Sequence, residues 1–237
     1  MAARIFVGEM SVNSASWADV MNLELFSPEA QANLLPYDGE VQDYGLILSA
    51  SDSDKYLRYF LQHLAWQPDE AIFQGQYYQM ERKVVWYGDE YYQYHYSGMH
   101  KQAQMWNPAL FRLKQHIEQL VDHPFNSCLA NLYENGTQAV GWHSDDEPAL
   151  VAPNQQVVIA SLSLGASRKF CFKHKTTQDK VQMLLQSGQL IVMRGQTQRY
   201  WKHTLMKSVK ITEPRINLTF RYFYHLERKT SWFSTRI

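Results

Sequence analysis

The chain has 237 residues, 45% of them hydrophobic, and its 23 Lys and Arg are balanced by 23 Asp and Glu for a formal charge of zero. That size suits one β-rich domain with a substantial core, and the charge balance excludes a strongly basic protein, so any nucleic-acid contact must use a local patch. No apolar run approaches the roughly 18 residues of a membrane span, and the start Met1-Ala2-Ala3-Arg4-Ile5-Phe6 lacks a signal-peptide core.

Residues 1–50 have weak periodicity, with Pro28, Pro36 and a Tyr37-Asp38-Gly39 turn signal, and read as an N-terminal arm ahead of a single domain over 51–237. Ser51-Asp52-Ser53 offers caps for a helix in which Tyr56, Leu57, Phe60, Leu61 and Leu64 recur at helical spacing before Pro68. Residues 72–106 are aromatic-rich, with Phe73, Tyr77, Tyr78, Trp86, Tyr87, Tyr91, Tyr92, Tyr94, Tyr96 and Trp106. Asn107 as cap, Pro108 at the first helical position and Leu110, Leu113, Ile117, Leu120 and Val121 predict a second helix.

From Phe125 onward the pattern turns to strands, predicted over 126–133, 157–164, 169–172, 181–185, 189–193, 203–209 and 216–224. Asn135-Gly136, Gly165 and Ser187-Gly188 supply turns between them. Short strands with Gly-containing turns predict a mostly β fold with flanking helices (α+β), a sandwich or jelly roll with its core over about 125–224. Cys128 and Cys171 fall inside these strands as buried free thiols, which points to a reducing compartment, cytoplasmic or, in a eukaryote, nuclear.

Residues two apart on a strand share a face, so His143 and Asp145 can converge on one ion, and His203, 58 residues after Asp145, can complete the set. Two histidines and a carboxylate suit non-haem Fe(II) with open positions, but zinc enzymes use the same ligand types, so these residues alone leave the metal open. Arg215, Asn217, Thr219 and Arg221 alternate with Ile216, Leu218 and Phe220, which places two guanidinium groups on one strand face. Such a face binds a carboxylate ligand or pairs with buried Asp or Glu.

Together, His143-x-Asp145, His203 and Arg215-x-Asn217-x-Thr219-x-Arg221 resemble the AlkB family of Fe(II)- and 2-oxoglutarate-dependent dioxygenases. Asn131-Leu132-Tyr133-Glu134-Asn135-Gly136 is similar to the family's Asn-x-Tyr-x-x-Gly segment, and Ser161-Leu162-Ser163-Leu164-Gly165 to the strand and turn that follow the first ligands. The resemblance covers about residues 70–224. It is nearest the members that repair duplex DNA, through Tyr94-His95-Tyr96-Ser97-Gly98 and Arg168-Lys169-Phe170-x-Phe172-Lys173-His174-Lys175.

The resemblance implies a double-stranded β-helix (jelly roll) with a nucleotide-recognition lid over about 72–106. Fe(II) would be held by His143, Asp145 and His203, with O2 as cosubstrate. The cosubstrate 2-oxoglutarate would contact Asn131, Tyr133, Arg215, Asn217 and Arg221, with Arg215 on its distal carboxylate. The implied reaction is oxidative demethylation of 1-methyladenine and 3-methylcytosine in single- or double-stranded DNA, releasing formaldehyde and succinate, by a monomer with no membrane partner.

A damaged base must leave the duplex stack to reach the metal. By resemblance Tyr96 would stack on it, Tyr94 and Glu147 would hydrogen-bond to it, Ser97 would also contact substrate, Asp146 would orient nearby groups, and Phe73 would fill the gap left in the duplex. Arg168, Lys173 and Lys175, with Lys169 and His174, form the densest basic cluster and would contact phosphates. RNA demethylation, or hydroxylation of another substrate, is the alternative that the core motifs leave open. A binding module with a degenerate centre is disfavoured by the intact ligand set.

Overall fold

The computed structural model of the chain describes residues 32–96, 99–150, 157–224 and 227–228. In chain order its elements are β1 (Glu40–Leu46), α1 (Ala50–His63), β2 (Gln67–Phe73), β3 (Gln76–Gly88), β4 (Tyr92–Tyr96), β5 (Met99–Gln102), β6 (Gln104–Met105), α2 (Pro108–Val121), β7 (Ser127–Tyr133) and β8 (Val140–His143). They continue with β9 (Ile159–Gly165), β10 (Arg168–His174), β11 (Lys180–Leu185), β12 (Gln189–Arg194), α3 (Thr197–Tyr200), β13 (Trp201–Leu205), β14 (Arg215–Arg221) and β15 (Glu227–Arg228). No helix among the described residues is long and apolar enough to cross a membrane.

A large sheet runs β1-β12-β9-β14-β7-β3-β2, with β6 paired to β3, and a smaller sheet runs β11-β10-β13-β8. The two faces form a jelly roll. Within the large sheet β14 is central, and its period-2 pattern decides what each face does. Ile216, Leu218 and Phe220 are fully buried in the apolar layer shared with Tyr56 and Phe60 of α1 and Leu110, Leu113 and Ile117 of α2. Side chains of this size contribute about 1.5–3 kcal/mol each when fully buried. Arg215, Asn217, Thr219 and Arg221 occupy the other face, toward a cavity between the sheets.

The second helix forms where its cap predicts, whereas the first starts earlier than expected: Ser49 is its cap, and Ser51, Asp52 and Ser53 lie inside it. Ser49 accepts a hydrogen bond from the Asp52 N–H at 3.1 Å, and Asn107 accepts from Ala109 and Leu110 at 2.9 and 3.4 Å with Pro108 opening α2. Asp122 closes α2 in the left-handed region at φ 51°.

Several expected boundaries move. The arm does not run to residue 50, because β1 pairs with β12 at the edge of the large sheet. Only Val41 of that strand is buried and its register shifts between Asp43 and Leu46, so it carries almost no alternation to read. Residues 1–31 of the arm lie outside the described residues. The core also extends upstream of 125, since β3 pairs with β7 from Lys83 to Gly88. The strand expected over 203–209 ends at Leu205, and the one expected over 216–224 ends at Arg221. Both cysteines are buried and free, as expected.

The aromatic set over 72–106 divides. Tyr87 is buried in the helix-side core, Trp86 lines the inter-sheet cavity and donates to Ser127, and Trp106 donates to Asp89. Tyr77, Tyr78 and Tyr91 are exposed. A further three-stranded sheet, β15-β4-β5, carries Tyr94 and Tyr96.

Candidate active site

The cavity between the sheets collects ligands from both. On the smaller sheet His143 ends β8 and His203 lies directly opposite it on β13, with ring centroids 4.3 Å apart. Asp145 follows two residues after His143, its N–H held by Gln198 at 2.9 Å, while Ser144 donates to the Trp201 carbonyl. These bonds turn the chain so that one ligand atom from each of His143, Asp145 and His203 lies within 4.8 Å of the others.

The electrostatics suit a cation. Burial pushes the His203 imidazole down to about 3, with His143 adding to the effect, so it is neutral and able to donate its lone pair. Its Nδ1 is buried with no hydrogen-bond partner among the described residues. His143 Nδ1 lies 2.8 Å from the Gly141 carbonyl, which leaves Nε2 for a metal. Burial works to raise the Asp145 carboxyl, but Arg221, His203 and His143 outweigh it and hold it below the usual carboxylate range.

The large sheet contributes the polar wall. Register aligns Arg215 with Tyr133 and Asn217 with Asn131 across β14 and β7, and Asn217 with Ser163 across β14 and β9. Arg215 donates to Ser163 Oγ at 2.8 Å and to Asn217 Oδ1 at 3.0 Å, and its guanidinium stands over the Tyr133 ring. No carboxylate among the described residues pairs with it, its Nε lacks a partner, and burial pulls it down to about 10. A buried cation with only neutral partners is costly to hold unless an anion completes it. Arg221 differs, since it bridges Asp145 Oδ1 at 2.9 Å and Glu147 Oε1 at 3.2 Å.

A sequence model of the 2OG-Fe(II) oxygenase superfamily matches residues 44–221. The chain is 37% identical over 198 residues to the human protein named alpha-ketoglutarate-dependent dioxygenase alkB homolog 3, covering 80% of this chain and 68% of that one. The chain belongs to the AlkB family of 2OG-Fe(II) oxygenases. It is also 34% identical over 194 residues to the Mus musculus protein named DNA oxidative demethylase ALKBH2, covering 76% of this chain and 78% of the relative. Among solved structures it resembles OsALKBH1, with a TM-score of 0.55 at 15% identity over 79% of this chain and 98% of that one. A 2OG-Fe(II) oxygenase from Burkholderia pseudomallei superposes with a TM-score of 0.50 at 12% identity over 81% of this chain and 87% of its own. Both show the fold.

The residues present fit what this family carries. His143, Asp145 and His203 would hold Fe(II), and the uncompensated Arg215 would take a carboxylate of 2-oxoglutarate. The bound iron supplies activation of O2, with 2-oxoglutarate as co-reductant. The enzyme is thus an Fe(II)- and 2-oxoglutarate-dependent dioxygenase. The AlkB fold does the positioning: Ser163 and Asn217 aim Arg215, Ser161 and Thr219 fix the Asn217 amide at 3.0 and 2.7 Å, and Arg221 holds Asp145 ionised.

Of the expected contacts with substrate, Glu147 lines the cavity beside Arg221, and burial pushes its carboxyl up. Asp146 faces solvent 3.7 Å from Lys175. Lys173 stands 4.9 Å over the exposed Trp142 ring, and Lys175 donates to the Gln198 carbonyl. Ser97 and the side chains of Phe73, Tyr94 and Tyr96 lie outside the described residues.

Arg168 does not belong to the expected phosphate-contacting cluster. It is 1% exposed and donates to the carbonyls of Asn135, Gln138 and Met206, so it ties the β7–β8 loop to the chain after β13 and cannot reach a phosphate. His174 is likewise buried.

Two groups escape the sequence reading. Lys173 pairs in register with Lys180 on one side and Lys202 on the other, and no described carboxylate pairs with any of the three. Like charges opposite one another destabilise a sheet, so this row fits an anion-binding face. The second group is Asp69, Arg82 and Lys101 in the cavity wall. These residues lie on three strands, with no spacing that would announce them.

Proposed function

We propose that this dioxygenase removes N-methyl groups from 1-methyladenine and 3-methylcytosine in DNA. One oxygen atom of O2 enters succinate as 2-oxoglutarate loses CO2, and the other enters the methyl C–H bond. The resulting N-hydroxymethyl group releases formaldehyde, and the ring nitrogen recovers its native state. The observation that carries this reading is the single cavity that joins the His143, Asp145 and His203 cluster to the uncompensated Arg215, beside an outer face bearing Lys173, Lys180 and Lys202. Lys202 and Trp142 each immediately adjoin a metal ligand in sequence, which sets the basic face next to the metal cluster.

The names of the relatives support the substrate class, one of them being a DNA oxidative demethylase. In this reading a flipped base enters from the β4 side, with Tyr94, Tyr96, Ser97 and Glu147 around it, Phe73 at the turn between β2 and β3 filling the duplex gap, and Lys173 and Lys175 on phosphates. The residues of 72–106 outside the core stretch Lys83–Gly88 act together as the lid.

The test is to incubate the purified protein with Fe(II), 2-oxoglutarate and methylated single- and double-stranded oligonucleotides and to count restored bases. Restoration in the wild type, and its loss together with bound iron in His203→Ala, is the expected result. Turnover of 2-oxoglutarate with RNA or another substrate but with no DNA lesion would overturn the DNA reading.

A further inference from the structure

Asp69 on β2 is 7% exposed, and three donors from two other strands surround it. Arg82 of β3 places Nε at 3.0 Å and Nη2 at 2.6 Å from Oδ2, and Lys101 of β5 places Nζ at 2.7 Å from Oδ1. Both carboxylate oxygens are therefore engaged, which fixes the plane of the group. Burial works to raise the Asp69 carboxyl, but the two cations outweigh it and keep it ionised.

The cluster touches both halves of the site. Arg82 also stands beside Tyr133, one step past the Lys83–Leu132 pair of β3 and β7, and both line the cavity, with the Tyr133 ring under Arg215. On the other side Lys101 pairs in register with Tyr94 across β5 and β4, in the sheet expected to receive the base. That sheet is tied to the large one at β6, through Tyr87 and Gln104 and through Gly88 and Met105, so the Lys101 ion pair is a second fastening some residues away. One carboxylate thus connects the wall that faces the cosubstrate to the strand pair that faces the substrate.

We infer that Asp69 is a positioning residue shared by the two ligands of this cavity, holding Arg82 on Tyr133 for 2-oxoglutarate and Lys101 on the substrate-side sheet. The two ligands bind cooperatively through it. Nucleic acid seated against β4 and β5 strengthens the hold of Lys101 on Asp69, and the same carboxylate then keeps Arg82 beside Tyr133. The cosubstrate half stands on the family assignment. The substrate half rests on the proposed nucleobase reading.

The test is equilibrium binding of 2-oxoglutarate to Mn(II)-loaded protein by calorimetry, with and without a single-stranded oligonucleotide containing 1-methyladenine. Asp69→Asn weakens 2-oxoglutarate binding about tenfold without nucleic acid, the size expected for one charge-assisted contact. In a Tyr133→Phe background the same substitution changes affinity less than about twofold, because the hydroxyl it acts through is gone. A merely structural role would give the same loss in both backgrounds, and that result overturns the cosubstrate half.

The oligonucleotide tightens 2-oxoglutarate binding at least about fivefold in the wild type, and Lys101→Met abolishes that tightening while Lys101→Arg restores part of it. Tightening that survives in Lys101→Met, or is absent from the wild type, overturns the substrate half. A wild-type protein that does not bind the oligonucleotide overturns the nucleobase reading and the substrate half together. The comparison between Asp69→Asn and its Tyr133→Phe counterpart, made without nucleic acid, still decides the cosubstrate half.

Discussion

At Arg215 the period-2 pattern of β14 and the cost of burying a charge give the same answer. The alternation in the sequence placed this guanidinium on the face opposite Ile216 and Leu218, and the structure finds it without a carboxylate partner. Arg215→Met should therefore abolish 2-oxoglutarate binding, by about a hundredfold or more in calorimetry on the Mn(II) protein, while leaving ligand-free thermal stability undiminished. Unchanged affinity would remove Arg215 from the cosubstrate site. Arg168 shows the opposite case, although its signal was available. It shares strand parity with Phe170 and Phe172, which face inward, whereas Lys169 and Lys173 face outward. Reading the run as a cluster of charge hid the alternation that buries one of its members.

Burial also sets a pH dependence at this scale. The His116 and His123 imidazoles are held below their ordinary value of 6.5, chiefly by burial. The unfolded chain binds protons that the folded one refuses, so stability falls as pH drops below about 6.5, by up to about 1.4 kcal/mol per pH unit for each group. Urea denaturation at pH 7 and pH 5.5 should show this loss, and the double substitution His116→Leu/His123→Leu should reduce it, leaving the part that the buried His203 contributes. An unchanged slope in the double variant would assign the loss to other groups.

Among the elements, those with internal periodicity were legible and those defined by a partner were not. The two helices announce themselves through Asn107, Pro108 and the spacing of Tyr56 and Phe60, and β7 and β14 through alternation. Removing the Asn107 cap as Asn107→Ala should cost about 1 kcal/mol in denaturant unfolding. Full retention of stability would mean that packing alone holds the start of α2. By contrast β1 exists because β12 offers it an edge, and the Lys180, Lys173 and Lys202 row exists only once three strands are in register. If that row meets phosphates, Lys173→Ala and Lys202→Ala should each lower the salt dependence of oligonucleotide binding by about one unit of slope, with lesion preference unchanged. Identical slopes in the variants would place the nucleic acid elsewhere.

Across the whole molecule, two sheets bring together ligands that are far apart in sequence. His143 and Asp145 lie on one side of the cavity with His203, and Asn131, Tyr133, Arg215 and Asn217 lie on the other. The metal cluster and the anion pocket were legible because each is written on one or two strands with strict spacing. The Asp69, Arg82 and Lys101 cluster was not, since it depends on a register shift between Pro68 and Asp69 and on a strand from a different sheet. If one chemistry couples these parts, the methyl carbon leaves as formaldehyde for every base restored. The most direct test is a time course with Fe(II), 2-oxoglutarate and an oligonucleotide carrying 1-methyladenine, in which restored adenine, formaldehyde and succinate are counted together. Restored adenine and formaldehyde should rise in equal amounts, with at least as much succinate. Succinate formation with neither restored adenine nor formaldehyde would contradict that coupling.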